Sequence, residues 1–408
     1  MTTPAADNRR LDLDWLRIGA FALLILYHVG MFYVTWDWHI KSSRAGPAIE
    51  PLMLLINPWR LTLLFVISGA ATRFMADKMN AGRLFASRMG RLFPPLLLAV
   101  VLIVPPQSYF EVLDALGPQA AGDPWHFWLK YITASGHWCD ADGCLITPTY
   151  NHMWFVAYLV VYTLLLFPLL PLLRRAPKAL GVLVAGPGLV LTPWLFLWIT
   201  RVTLFPLFGE THAIHHDWYL HVLYLTAFLF GFAIAKHTPF FDQATRWRWT
   251  TLALGLGAYA FMTWARATYD HAGAPPPPAW GPLVAAGVRE LQAWCAILAA
   301  FGFAYRYLRG ADGPARRYLT EAIFPFYLIH QTAIIFAAHT LDPLRLPLWI
   351  EAPAVVAFTL FACWAGLELA RRVPVLRIWF GLRSQPRNFH GKNPGLAVER
   401  TGEPTSAR

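Results

Sequence analysis

Long runs of apolar residues, separated by short polar and basic segments, make up most of this chain of 408 residues. A run of about 20 mostly apolar residues is long enough to cross the hydrocarbon core of a bilayer as a helix. Ten runs of this kind predict an all-α, polytopic integral membrane protein, with spans at 15–34, 53–75, 92–110, 153–173, 179–199, 218–235, 249–267, 283–305, 322–341 and 349–370. The third run contains Pro94, Pro95, Pro105 and Pro106, so we expect its helix to be kinked.

Basic residues alternate in density from one predicted loop to the next. One set of flanks is rich in them: Arg9, Arg10, Lys78, Arg83, Arg88, Arg91, Arg174, Arg175, Lys178, Lys236, Arg246, Arg248, Arg306, Arg309, Arg316, Arg317, Arg371 and Arg372. The opposite loops carry only Lys41, Arg44, Lys130, Arg201 and Arg345. Because Lys and Arg concentrate on the cytoplasmic side, ten spans with both termini in the cytoplasm are predicted. The predicted parts are a cytoplasmic N-terminal segment (1–14), a transmembrane domain (15–372) and a polar, disordered cytoplasmic tail (373–408).

Composition supports a membrane protein and argues against other classes. Hydrophobic residues make up 57% of the chain and charged residues only 14%, whereas soluble domains carry about 25% charged residues. The net charge of +11 comes from basic residues scattered between apolar runs. This scatter excludes a nucleic-acid partner, which would need one basic patch. The first run is too long for a cleavable signal peptide, so we expect it to remain as an anchor in the lipid bilayer.

Arg17 and His28 bracket ten uncharged residues of the first predicted span. Eleven helical steps return to nearly the same face and advance by about 16 Å. The predicted topology therefore puts Arg17 near the cytoplasmic surface and His28 in the outer half of the bilayer. An ionisable group there is costly and suggests function. His28 is either a general base or a neutral imidazole bonded to a neighbouring helix.

Two sets of residues in the second and third spans are further candidates. Arg88 and Arg91 lie three positions apart on one helix face, and two guanidinium groups at a helix start suit phosphate binding. The alternative is that they only set topology. Arg60 lies inside the outer end of the second span and needs a partner, for which Glu50 is near in sequence. Ser68 either lines a site or, with Gly69, allows close helix packing.

Polar residues also interrupt two later spans. Asn151 could cap the fourth helix, and the adjacent His152 is either an active-site group or an interfacial residue. His330 and Gln331 lie near the middle of the ninth span, where they either line a polar cavity or bond to another helix.

The remaining candidates concern metals and redox chemistry. His212, His215, His216 and Asp217 share an outer loop, but no second cluster completes a metal site, so no metal is expected. Cys139 and Cys144 share another outer loop and could form a disulfide in an oxidising compartment. Cys295 and Cys363 lie in apolar runs and indicate packing.

Taken together, these residues resemble acyltransferase family 3, the polytopic membrane acyltransferases that include the glucan biosynthesis protein C type. The resemblance rests on Asp14-Trp15-Leu16-Arg17 followed by His28, on Ser68-Gly69, on Arg88-x-x-Arg91 with Pro94 and Pro95, and on Phe326-Tyr327-Leu328-Ile329-His330. It covers roughly residues 11 to 372.

The resemblance implies an O-acyltransferase of the bacterial inner membrane. It would move an acyl group, acetyl or succinyl, from cytoplasmic acyl-CoA to a hydroxyl of an extracytoplasmic carbohydrate such as a glucan or surface polysaccharide. His28 would be the catalytic histidine, and Arg17, Arg88 and Arg91 would be essential basic residues that face the donor side. Asn151, His152, His330, Gln331, Arg60 and Ser68 could line the site, and no cofactor would be permanently bound.

A transporter or flippase that moves a saccharide or lipid without chemistry is the competing interpretation. Ten spans and buried histidines suit it equally well, but it gives no reason for paired arginines on the donor side. The oligomeric state, the acceptor and the acyl chain are left open by the sequence.

Overall fold

The protein is built almost entirely of helices. The computed structural model describes residues 9–141, 143–175, 181, 184–271 and 273–382; 78% of these are helical, and none is in a strand. The first predicted span is present as α1 (Leu11–Tyr33). The helices that follow are α2 (Glu50–Ala76), α3 (Ala81–Leu98), α4 (Pro105–Leu116), α5 (Pro118–Ala121), α6 (Pro124–Ile132), α7 (Trp154–Arg175), α8 (Gly188–Phe208), α9 (Trp218–Ile234), α10 (Thr238–Tyr269), α11 (Gly281–Tyr307), α12 (Pro314–Leu341), α13 (Leu348–Arg372) and α14 (Pro374–Trp379).

The number of helices able to cross a membrane is lower than predicted. Within the described ranges, eight helical segments are long and apolar enough to do so, among them the combined run Ala81–Leu116. The helices α9 and α10 meet the same criterion only as a pair, bent by 108° at their junction, which makes nine if the pair is one span. All ten predicted runs thus have a helix, but the sixth and seventh do not qualify separately. The helix α9 is short, with 17 residues, and α10 intersperses its apolar residues with threonine, tryptophan, tyrosine and arginine.

Two predicted spans differ from the structure in detail. The helix α8 begins at Gly188, nine positions after the predicted start at 179, because it follows a turn at Gly186 and Pro187. Part of the predicted run, at 179–180 and 182–183, lies outside the described residues. The kink expected in the third span lies at Val104, after a π-helical segment, Ala99–Ile103, and immediately before Pro105.

Contacts at the helix ends show that α1 and α12 run in one direction and α13 runs in the opposite one. At one end of the bundle, Asp14 at the start of α1 pairs with Arg316 at the start of α12, with 2.7 Å between carboxylate and guanidinium. At the other end, the Tyr33 hydroxyl at the close of α1 donates to Glu351 at the start of α13, at 3.1 Å. The directions of these three helices agree with the order of spans predicted from the loop charges. Which end faces the cytoplasm stays a prediction.

The helices α2 and α9 cross in close contact. A Cβ atom at Gly69 would overlap the carbonyl of Phe228, and a Cβ atom at Gly231 would overlap the carbonyl of Val66. Each helix therefore uses a glycine to admit the other's backbone, as small residues do in membrane helix pairs. This contact gives Gly69 the packing role that the sequence allowed.

The terminal and loop predictions have mixed outcomes. Cys139 and Cys144 are joined by a disulfide, and Cys295 and Cys363 are buried free thiols. Helix α1 begins at Leu11, inside the segment predicted to precede the spans. The short helix α14 lies within the predicted tail, and 1–8 and 383–408 lie outside the described residues.

Candidate active site

A cavity of about 370 Å³ opens at the bundle end where α1 finishes and α2 begins. Loop residues Trp38, His39, Glu210 and His212 contribute to its wall. The loop charges predict this end to be extracytoplasmic. Six of the residues singled out from the sequence line the cavity: His28, Arg60, Asn151, His152, His212 and Gln331.

His28 is held by a chain of hydrogen bonds that reaches it from α12. Its Nδ1 lies 2.8 Å from Nε2 of His330, and Nδ1 of His330 lies 2.7 Å from the carbonyl oxygen of Tyr327. A carbonyl only accepts, so Nδ1 of His330 carries a proton. His330 is fully buried and no described carboxylate contacts it, so the neutral ring is favoured and its Nε2 is an acceptor.

The tautomer of His28 follows from this chain. Its Nδ1–H must donate to His330, which leaves Nε2 of His28 unprotonated. No described residue hydrogen-bonds to that Nε2, and His28 lines the cavity. The arrangement presents one basic nitrogen to the cavity and holds the ring in a fixed direction.

His152 has a different environment although it lines the same cavity. Its Nε2 lies 3.2 Å from the carbonyl oxygen of Leu328, to which it donates, and its Nδ1 accepts from Nε2 of Gln107 at 3.2 Å. Both ring nitrogens are therefore occupied. The Tyr327 hydroxyl also donates to the carbonyl of His152. His152 is part of the polar frame around the cavity, and its ring has no unprotonated nitrogen left to accept a proton from a substrate.

Gln107 organises this polar frame. Its amide nitrogen donates to His152 and, at 2.7 Å, to the hydroxyl of Thr332. Its amide oxygen accepts from Asn151 at 3.2 Å and from Gln331 at 3.1 Å. All four hydrogen-bonding positions of this buried amide are used. The side-chain amide of Asn151 therefore bonds to Gln107 and does not cap the helix, which corrects the prediction.

Arg60 places an arginine on the cavity wall with no carboxylate partner among the described residues. Its guanidinium carbon lies 3.3 Å from the centre of the Tyr27 ring, and one nitrogen donates to the carbonyl of Asn57 at 3.3 Å. The residue is only 6% exposed. Glu50, the partner suggested by sequence proximity, instead accepts from Thr35. Arg60 thus gives a positive charge to the wall of the cavity that His28 also lines.

Residues that the sequence did not identify as one site complete the cavity. Glu210, His212 and Arg289 lie on it, with Trp154 and Tyr224. They come from α7, α9, α11 and the loop before α9, so no local spacing connects them. Two adjacent charged residues inside a predicted span, Arg289 and Glu290, were the only available signal.

Four predicted site residues lie away from this cavity. Arg17 is 3.7 Å from the Asp14 carboxylate, and Ser68 lines neither of the two cavities. Arg88 is buried, and its Nε donates to the hydroxyl of Thr163 at 3.0 Å. Arg91 is exposed instead, so burial separates two residues that share a helix.

Arg91 lines a second cavity of about 360 Å³ at the opposite end of the bundle, with Lys78 and Ser87. No residue lines both cavities. The second cavity combines two cationic side chains with the apolar side chains of Phe74, Met75 and Met79. The molecule therefore offers one cavity with a basic nitrogen and one with two positive charges, at opposite ends.

Comparison with known proteins identifies relatives over almost the whole chain. The family model for an acyltransferase domain, family 3, matches residues 10–368. Glucans biosynthesis protein C of Escherichia coli O139:H28 (strain E24377A) is 22% identical over 403 residues, covering 96% of this chain and 99% of the relative. Glucans biosynthesis protein C of Escherichia coli K12 is 21% identical over 400 residues, with the same coverage. No solved structure matches the chain.

Proposed function

This chain belongs to acyltransferase family 3, and from this premise we propose that it esterifies a hydroxyl of an extracytoplasmic carbohydrate with an acyl group from cytoplasmic acyl-CoA. The family makes it an O-acyltransferase, and its apolar helices make it a multi-pass membrane protein. The proposal adds acetyl-CoA or succinyl-CoA as the donor, a glucan or surface polysaccharide as the acceptor, and the bacterial inner membrane as the location. The name of its relatives supports a glucan.

The observation that carries the proposal is the hydrogen-bond chain from Tyr327 through His330 to His28. It leaves Nε2 of His28 unprotonated and directed to the cavity, as a general base requires. In the proposed step, Nε2 takes the proton of the acceptor hydroxyl while the hydroxyl oxygen attacks the thioester carbonyl carbon. His330 accepts the Nδ1–H of the resulting imidazolium and so helps to stabilise its charge.

The second half of the reaction returns the proton. The tetrahedral intermediate collapses, its carbon–sulfur bond breaks, and the coenzyme A thiolate leaves with the proton held by His28. The products are an ester and free coenzyme A, and His28 is again neutral. An oxyanion forms on the former carbonyl oxygen during this sequence. Arg60 lies on the same wall without a carboxylate partner, so we assign it to that negative charge.

We assign binding of the acyl-CoA donor to the second cavity, at the opposite end of the helix bundle. Coenzyme A carries phosphate groups, and Lys78 and Arg91 offer two cations in a cavity that also has apolar walls. Arg88 lies deeper, over the Phe228 ring at 5.8 Å. Tyr224, one helical turn from Phe228 on α9, lines the first cavity. We therefore propose that Arg88 lies along the route that the thioester takes from the second cavity to the first.

Replacing His28 with alanine tests the proposal. We expect His28→Ala to lower acyl transfer from acetyl-CoA or succinyl-CoA to a β-glucan oligosaccharide by about 100- to 10,000-fold, because the proton acceptor is lost. The measurement is ester formation by purified protein in nanodiscs, followed by mass spectrometry. His215→Ala is the control, since His215 is exposed and lies outside both cavities. Wild-type rates in a folded His28→Ala protein would refute the role of His28.

A further inference from the structure

One side of the first cavity is formed by residues that the proposed chemistry does not use. They are Trp154, Glu210, His212, Tyr224 and Arg289, and we call them the acceptor wall. His28 lies in the same cavity. The ligand of this wall is inferred on the basis of the proposed function.

The loop that carries His212 is held in place by buried hydrogen bonds. The backbone N–H of His212 donates to the Asp217 carboxylate at 2.8 Å, and its carbonyl accepts from the Tyr150 hydroxyl at 2.9 Å. Asp217 is fully buried and also accepts from Tyr158 at 2.6 Å. His212 adopts a left-handed backbone conformation, with φ of 56°. Such a conformation in a non-glycine residue is maintained only where the surroundings enforce it, and it is enriched at functional sites.

The imidazole of His212 is available to a ligand. Its ring packs on Trp154 with 4.4 Å between ring centres, and no described residue hydrogen-bonds to either ring nitrogen. Burial lowers the pKa of His212 below its ordinary value. The ring is therefore neutral at pH 7 and offers one donor and one acceptor.

The charged members of the wall balance each other. Arg289 donates to Glu290 at 2.8 Å and lies 3.8 Å from Glu210. Arg201 lies 3.5 Å from Glu210 and 3.7 Å from Glu290. Two arginines thus face two carboxylates, so this side of the cavity carries no net charge. A carboxylate, an imidazole and a guanidinium together offer both acceptors and donors.

These features suit an uncharged sugar ring. A sugar hydroxyl both donates and accepts, which matches the neutral imidazole and the charge-balanced pair. The faces of Trp154 and Tyr224 suit the apolar face of a pyranose. An anionic ligand would fit this wall poorly, because the Arg289 guanidinium already faces Glu290 and Glu210.

We propose that the acceptor wall is a saccharide subsite, in which His212 and Glu210 hydrogen-bond the hydroxyls of an uncharged sugar ring next to the hydroxyl that is acylated. The subsite sets the acceptor and its orientation and takes no part in proton transfer. His212 is therefore a binding residue, whereas His28 is the base.

The test measures binding of a β-glucan oligosaccharide to His28→Ala protein by calorimetry, so that no acyl chemistry is needed. In that background, His212→Gly removes the imidazole while accepting the left-handed backbone without strain. We expect it to raise the dissociation constant about five- to tenfold. His212→Asn also tolerates that backbone and keeps a polar group, so it should retain part of the affinity. His216→Gly is the matched control, an exposed histidine of the same loop that does not line the cavity.

The outcomes separate the subsite from the reaction. A selective loss with His212→Gly, partial retention with His212→Asn and no change with His216→Gly support the subsite. Equal affinity of His212→Gly and the parent overturns it, even if the wild-type enzyme acylates the glucan. Binding that depends on His212, without any acyl transfer by the wild-type protein, would instead refute the proposed function and keep the subsite. In active protein, the same substitution should raise KM for the oligosaccharide and leave KM for the acyl donor unchanged.

Discussion

His28 and His152 are imidazoles on the wall of one cavity, yet their hydrogen bonds give them different chemistry. His152 donates through one nitrogen and accepts through the other, both to protein atoms. His28 uses only Nδ1, and the partner that receives this bond is itself oriented by a backbone carbonyl. Of these two histidines, only His28 therefore has a free, unprotonated nitrogen. At the scale of single residues, the direction of each hydrogen bond decides which histidine can act as a base.

His330 should be a positioning residue, and its substitution should affect turnover more than binding. His330→Ala removes the acceptor for the His28 Nδ1–H, so the ring can rotate or adopt the other tautomer. We expect kcat to fall about 100-fold, with KM for the acyl donor little changed. His330→Gln offers an amide oxygen near the lost Nε2 and should restore part of kcat.

Steady-state kinetics of both variants, with circular dichroism to verify folding, checks this expectation. A purely structural role would lower the amount of folded protein in both variants and would leave kcat per folded molecule unaltered. Equal kcat in the alanine and glutamine variants would also contradict the positioning role.

At the scale of elements, the crossing of α2 and α9 determines how the cavity wall is assembled. The helix α2 carries Arg60 and α9 carries Tyr224. The two helices cross at Gly69 of α2 and Gly231 of α9. Their backbones approach so closely that no side chain fits between them. The position of the Arg60 guanidinium relative to the Tyr224 ring therefore depends on the absence of side chains at Gly69 and Gly231.

Gly69→Ala should destabilise the protein, whereas Gly19→Ala should not. The new methyl group at position 69 meets the Phe228 carbonyl, and overpacking of this kind costs about 1–3 kcal/mol. A Cβ atom at Gly19 meets no other atom within 4 Å, so that substitution only improves helix propensity. Thermal unfolding in the same detergent should give a lower midpoint for Gly69→Ala and an unchanged or slightly higher one for Gly19→Ala. Equal midpoints would show that the crossing tolerates a side chain.

At the scale of the molecule, the sequence could predict what depends on neighbours along the chain. Apolar runs located all ten long helices, and helical spacing put Arg17 and His28 on α1. The sequence could not predict that Arg88 would be buried while Arg91 lines a cavity. Both residues share one helix face, and only the packing of α7 against α3 gives them different surroundings. The same limit applies to Gln107 and to the acceptor wall. Their members are brought together by tertiary contacts between segments more than 40 residues apart, and no local motif records such contacts.

The positions of the two cavities predict the membrane side from which each substrate enters. A donor that enters at Arg91 and an acceptor that enters at Trp38 must approach from opposite sides of the membrane. The native cysteines make this easy to examine, because Cys139 and Cys144 are bonded to each other and Cys295 and Cys363 are buried. The wild-type protein should therefore react little with a maleimide that cannot cross membranes.

New cysteines at the two cavities should become labelled from opposite sides. Asp37→Cys lies at the wall of the first cavity and Ser87→Cys at the wall of the second. In intact spheroplasts we expect the impermeant maleimide to label Asp37→Cys only, because the basic loops near Ser87 are predicted to be cytoplasmic. After permeabilisation Ser87→Cys should react as well, and acyl-CoA should slow its labelling without affecting Asp37→Cys. Labelling of Ser87→Cys in intact spheroplasts would reverse the predicted topology. Protection of Asp37→Cys alone would instead mean that the donor binds in the cavity of His28, and that acyl transfer needs no passage between the two ends of the bundle.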